Sequence, residues 1–128
     1  MSAPRVLIVD DNAMNIELVM FVLGTAAFEV ESAASASQAI RQITAFRPDL
    51  ILMDVQMPDI DGMELTRQIK ADPATRDITV VAFTAYAMKG DEARMRAAGC
   101  DGYISKPIDV STFAAQIRAC LPGKSDTR

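Results

Sequence analysis

The sequence predicts an α/β fold, a doubly wound five-stranded parallel sheet of order 2-1-3-4-5 with helices on both faces. Three observations carry this. Short apolar runs alternate with amphipathic segments along the whole chain, the pattern of repeated βα units. Three of the runs are nearly continuous in apolar residues, as strands covered on both faces should be. No repeat, low-complexity tract or linker divides the 128 residues, a length that suits one domain. The core is expected over residues 5 to about 121, with a polar, frayed tail over 122–128.

The strands are expected at Val6–Val9, Phe28–Ser32, Leu50–Met53, Thr79–Phe83 and Tyr103–Ser105, the second and fifth being the least apolar. Between the first two, Ile16, Val19, Met20, Leu23 and Ala27 fall at helical spacing and define the buried stripe of a first helix. Met14, Leu18, Phe21 and Val22 lie off that stripe, so this helix is apolar nearly all round. Ser35 with Gln38 forms a capping box opening a second helix, which Pro48 stops before the third strand. Gly62–Ala71 and Asp91–Ala98 supply the third and fourth helices; the fourth opens with Asp91 and Glu92, suited to the positive end of the helix dipole, and ends at Gly99 as a left-handed cap. Val110, Phe113, Ala114, Ile117 and Leu121 mark the last helix.

Composition narrows the function classes. Half the residues are hydrophobic and 23% are charged, enough to build a core without disulfide or structural metal. Cys100 and Cys120 have no C-x-x-C spacing and the chain has no histidine, which argues against zinc and for reduced thiols. A net charge of -4, with no basic cluster, disfavours a nucleic-acid surface. The apolar runs are too short for a signal peptide or a membrane span, so a cytoplasmic protein with protein partners is expected.

The polar residues that follow the strands carry the chemistry. Asp10 and Asp11 follow the first strand, Asp54 the third, Thr84 the fourth and Lys106 the fifth. In the order 2-1-3-4-5 the first and third strands are neighbours, so the three carboxylates converge at the switch point where such sheets bind ligands. Two unit charges 4 Å apart repel by about 4 kcal/mol at an effective dielectric of about 20. Lys106 can neutralise one charge, and a hard divalent cation held through oxygens, best Mg²⁺, the rest. A carboxylate is also a nucleophile toward phosphorus, and Mg²⁺ with a lysine ammonium would stabilise the transferring phosphoryl oxygens.

The segments VLIVDDN, LILMDVQMPDIDG, VVAFTA and YISKP, in that order, resemble the receiver domains of two-component signalling, over residues 5 to about 121. The stretch AYAMKGDEARMRAAGCDGYISKPI further resembles single-domain cell-cycle regulators of the polar-differentiation type. The resemblance implies a flavodoxin-like (βα)5 fold with Asp54 as phosphoacceptor. It implies that Asp11 binds Mg²⁺ directly, Asp10 through water and Gln56 through its backbone carbonyl, and that Lys106 contacts the phosphoryl group. Lys106-Pro107 matches the family's cis peptide, and Pro58 and Gly62 shape the loop after Asp54. Thr84 and Tyr103 match a switch pair in which the hydroxyl moves toward the phosphoryl group and the ring turns inward, making the fourth helix, fifth strand and fifth helix the output surface. Ala85 beside Thr84 would allow access to the site, and Tyr86 and Met88 could serve an interface.

The phosphoryl donor would be a histidine kinase or phosphotransferase, docking its helical bundle on the apolar first helix. The target would be another protein, since no output domain follows Leu121 and direct transcriptional control is not expected. A chain that is monomeric when unphosphorylated and catalyses only its own phosphorylation and dephosphorylation is expected, rather than an enzyme with an outside substrate. A relay intermediate or phosphate sink uses the same residues and stays open as the alternative. A small-molecule aspartyl-phosphate phosphatase fits poorly, because Gln56 stands where a general-acid Asp is needed, and the absence of a G-x-x-x-x-G-K-[ST] motif excludes a P-loop ATPase.

Overall fold

The computed structural model describes residues 3–54, 62–84, 89–105 and 108–121. Ten elements alternate: β1 (Arg5–Val9), α1 (Ala13–Thr25), β2 (Glu29–Ala33), α2 (Ala36–Phe46), β3 (Leu50–Asp54), α3 (Gly62–Ala71), β4 (Thr79–Thr84), α4 (Lys89–Ala98), β5 (Gly102–Ser105) and α5 (Phe113–Cys120). The strands form one parallel sheet of order β2-β1-β3-β4-β5.

The handedness of the crossovers distributes the helices. The step from β1 to β2 runs one way across the sheet and the steps from β2 onward run the other, so right-handed connections place α1 on one face and α2, α3 and α4 on the opposite face. Side chains alternating along each strand feed two cores. Leu7, Val9, Ile51, Met53, Val80 and Ala82 pack with α2, α3 and α4, while Val6, Ile8, Leu50, Leu52, Val81 and Phe83 pack with α1 and α5. This explains the continuous apolar runs of β1, β3 and β4, which have no solvent face, and the alternating exposure of β2, which lies at an edge.

The element ends show where the sequence reading was right and where it shifts. Ser35 caps α2 by accepting the Gln38 N–H at 3.2 Å, and Gln38 Oε1 reaches back to the Ala34 N–H at 2.8 Å, a capping box displaced by one residue. Gly99 closes α4 at φ 107, with its N–H on the Arg96 carbonyl and the Cys100 N–H on Met95, a Schellman motif.

Ala27 is not part of the α1 stripe. It sits beyond the helix at φ 71 and does for α1 what Gly99 does for α4, its N–H bonded to Gly24 and the Phe28 N–H to Leu23. Phe28 is consequently a buried cap residue rather than the first residue of β2. The buried residues of α1 are Val19, Val22 and Leu23, so Val22 exchanges places with Met20, which is exposed; the sheet rather than the idealised stripe sets which side is covered. Val110 is likewise exposed and precedes α5, in a turn where Asp109 accepts from the Ser111 N–H and hydroxyl and its carbonyl receives the Phe113 N–H. Those two hydrogen bonds, the hydroxyl first, hold the Asp109 carboxyl below its ordinary range.

Two tertiary fasteners tie the helices down. Arg118 on α5 donates to the Ala26 carbonyl at the end of α1 and lies over the Phe28 ring, 4.7 Å from its centroid, so a cation meets the negative end of a helix dipole. Lys70 on α3 donates to the Arg76 and Ile78 carbonyls and to Asp101 Oδ2, which also accepts the Val80 N–H. Both thiols are free: Cys100 is buried against the α2–α3–α4 core and Cys120 packs against the other.

Candidate functional site

β1 and β3 bring the carboxylates together. Val9 pairs with Met53, and one step further along the two strands stand Asp10 and Asp54. Both are buried, and Asp11, at the mouth of the turn into α1, is exposed. A carboxylate oxygen from each of Asp10, Asp11 and Asp54 lies within 4.8 Å of the others. Three hard oxygen donors so close fit a hard divalent cation of the Mg²⁺ or Ca²⁺ type, since oxygen-only ligation with room for water is what those ions take. The convergence of these three side chains is the one expected from their places after β1 and β3 in a sheet of this order.

The turn that presents the cluster is built by asparagines. Asn12 caps α1, its side-chain oxygen accepting the Met14 and Asn15 N–H groups at 2.9 and 3.1 Å. The Asn12 N–H donates to Asp10 Oδ1 at 2.9 Å, and Asn15 Nδ2 donates to Asp10 Oδ2 at 3.3 Å. The start of α1 thus points its positive end at the carboxylates. Asn12 and Asn15 were not among the residues singled out from the sequence. The available signal was the D-D-N-x-x-N spacing, which places a cap residue and a third-position side chain on one side of the first turn.

Thr84 ends β4 and is buried. It pairs with Ser105, one residue before Lys106, while two residues back Ala82 pairs with Tyr103. Alternation along the two strands therefore puts Thr84 and Tyr103 on the same face of the sheet, the face covered by α4. Tyr103 is 38% exposed and stands at the surface on the edge strand. On α1, Met14 is 79%, Phe21 69% and Leu18 40% exposed. Gly62 opens α3 and is buried. Gln56, Pro58, Ala85, Tyr86, Met88, Lys106, Pro107 and the tail 122–128 lie outside the described residues.

The comparisons with known proteins agree with this geometry. A model of the family described as the response regulator receiver domain matches residues 6–118. The polar-differentiation response regulator DivK of Brucella anthropi is 43% identical over 116 residues, covering 91% of this chain and 94% of that one. The chemotaxis protein CheY4 of Vibrio cholerae superposes with a TM-score of 0.89 at 26% identity, over 94% of this chain and all of the other. The receiver domain of the sensor histidine kinase PA1611 of Pseudomonas aeruginosa, solved with a magnesium ion coordinated in its active-site cleft, is 30% identical with a TM-score of 0.83, over 93% of this chain and 98% of that one. Among the described residues no helix is long and apolar enough to cross a membrane. With five parallel strands in the order of its structural relatives and an acidic cluster at the switch point, the chain belongs to the receiver domains of two-component response regulators, which accept a phosphoryl group on an aspartate.

Proposed function

We propose that Asp54 is the phosphoacceptor and that the chain works as a single receiver domain, core about residues 5–121, whose phosphorylation switches its contacts with another protein. The observation that carries this is the buried Asp54 carboxylate at the end of β3, within ligand distance of Asp10 and Asp11. An Asp54 carboxylate oxygen forms a bond to phosphorus as the N–P bond of a phosphohistidine breaks, and the departing imidazole takes up a proton. Asp10, Asp11, Asp54 and the Gln56 carbonyl would hold Mg²⁺, which when bound offsets the charge of the three carboxylates and of the transferring phosphoryl oxygens. Lys106, following β5, would supply the second positive charge, and the Thr84 hydroxyl a hydrogen bond to the product.

The donor is a histidine kinase or histidine phosphotransferase, and the exposed Met14, Leu18 and Phe21 of α1, beside the site, suit docking of a helical bundle. Thr84 and Tyr103 form the switch. They share one face of the sheet, so a shift of Thr84 toward a phosphoryl group vacates space on the side where the Tyr103 ring can turn in. The phosphoryl group acts by binding that arrangement more tightly than the resting one. This pairing favours the switch over the relay or sink, which needs no distinct active surface. The chemistry is confined to the protein's own phosphorylation and dephosphorylation, in a cytoplasmic setting and in a chain that is monomeric when unphosphorylated.

Incubation with acetyl phosphate and Mg²⁺, followed by intact mass measurement, tests this. Wild type should gain one phosphoryl group, and the gain should vanish with a chelator or in Asp54→Asn. A phosphoryl gain by Asp54→Asn equal to wild type would overturn the assignment.

A further inference from the structure

We infer that Asn15 is a positioning residue for the cation site: its carboxamide holds the Asp10 carboxylate in the orientation that the ion requires. This rests on the cation reading of the cluster. Asp10 has no exposed surface, and each of its oxygens accepts a hydrogen bond from the first turn of α1, Oδ1 from the Asn12 N–H at 2.9 Å and Oδ2 from Asn15 Nδ2 at 3.3 Å. Asn15 is free to do this because the cap satisfies its own backbone N–H through Asn12 Oδ1. In a capping box the third helical residue reaches back to the cap; here it reaches two residues further, to the carboxylate before the turn.

The residue type matters as much as the place. An amide donor eases the repulsion among Asp10, Asp11 and Asp54 without adding a positive charge, whereas a lysine or arginine at this position would compete with the ion for the same carboxylates. With a hydrogen bond on each oxygen, the Asp10 carboxylate is oriented by the first turn of α1. Ligating carboxylates depend on such outer partners, whose loss commonly costs about 10- to 100-fold in metal affinity.

The test is calorimetric titration of Mg²⁺ into the metal-stripped, full-length chain, for wild type, Asn15→Leu and Asn15→Ala, with circular dichroism in chelator establishing that each is folded. Leucine keeps the size and removes the donor. Alanine removes the donor and is a better helix former than asparagine, so a role confined to helix stability would leave its Mg²⁺ affinity unchanged or raised. Both folded variants should bind Mg²⁺ about tenfold more weakly than wild type. Wild-type affinity in either folded variant would overturn the positioning role. Failure of wild type itself to bind Mg²⁺ would instead remove the cation reading and this inference with it.

Discussion

Ala27 and Gly99 close their helices with the same left-handed backbone, one against its residue type and the other in keeping with it. Ala27 occupies the left-handed region at φ 71 with its side chain exposed, a conformation that costs an L-residue about 1–2 kcal/mol and glycine almost nothing. Ala27→Gly should therefore stabilise the protein by up to about 1 kcal/mol after the greater chain entropy of glycine is offset, read from the urea midpoint at unchanged slope. At Gly99 the same role is filled by glycine, and a Cβ there would lie 2.8 Å from Lys70 Cγ, so backbone and packing both require it. Ala27 was legible in the sequence only as an apolar residue at helical spacing, because nothing about alanine announces a left-handed cap. Gly99 was legible because glycine does.

Cys100 carries a residue-scale pH dependence. Burial pushes its thiol above the ordinary value of 9.0, with the Thr66 hydrogen bond acting the other way. The folded state thus resists ionisation that the unfolded chain undergoes, so this contribution to stability is intact below pH 9.0 and is lost as pH rises through the raised folded value. Cys100→Val should lose less stability than wild type between neutral pH and about one unit above 9.0, compared by urea unfolding at both pH values. An equal loss in the two proteins would assign the alkaline effect to other groups.

At the scale of elements, β1, β3 and β4 were the easiest to locate, because burial on both faces leaves a continuous apolar run with polar residues at each end. The edge strand β2 and the boundaries of α1 and α5 were harder. β2 reads Glu-Val-Glu-Ser-Ala and has no such run, and which face of α1 is covered depends on the sheet beneath it. The Lys70 clasp between α3, the start of β4 and Asp101 was invisible for a related reason: Asp101 is 31 residues from Lys70 in sequence, and the other two acceptors are backbone carbonyls. Lys70→Met keeps much of the stem and removes the donors. It should destabilise the protein by about 1–3 kcal/mol, since a charge-assisted hydrogen bond is worth about that much and the freed carbonyls partly recover water. Faster amide exchange at the start of β4, with exchange in β1 unchanged relative to global stability, would show that the loss is local.

For the whole molecule, topology makes the function. Reversal of strand order between β1 and β3 leaves a crevice at their carboxyl ends, and the chain places Asp10, Asp11 and Asp54 there while apolar side chains fill both faces of the sheet. That part of the site was legible because strand ends can be read from hydrophobic pattern and the rule for where open sheets bind ligands does the rest. The hydrogen bonds from Asn12 and Asn15 were not, since they depend on how the first turn of α1 folds back over Asp10. The same architecture puts Thr84 and Tyr103 together on the face covered by α4.

In the proposed function the phosphoryl group resides on Asp54. Protein treated with acetyl phosphate and Mg²⁺ can be reduced with borohydride, which converts an aspartyl phosphate to homoserine, and then sequenced as peptides by mass spectrometry. Homoserine at position 54, dependent on the phosphoryl donor and Mg²⁺, is the expected result. Homoserine at position 10 or 11 with an unmodified Asp54, or a phosphoryl group stable to borohydride, would contradict it.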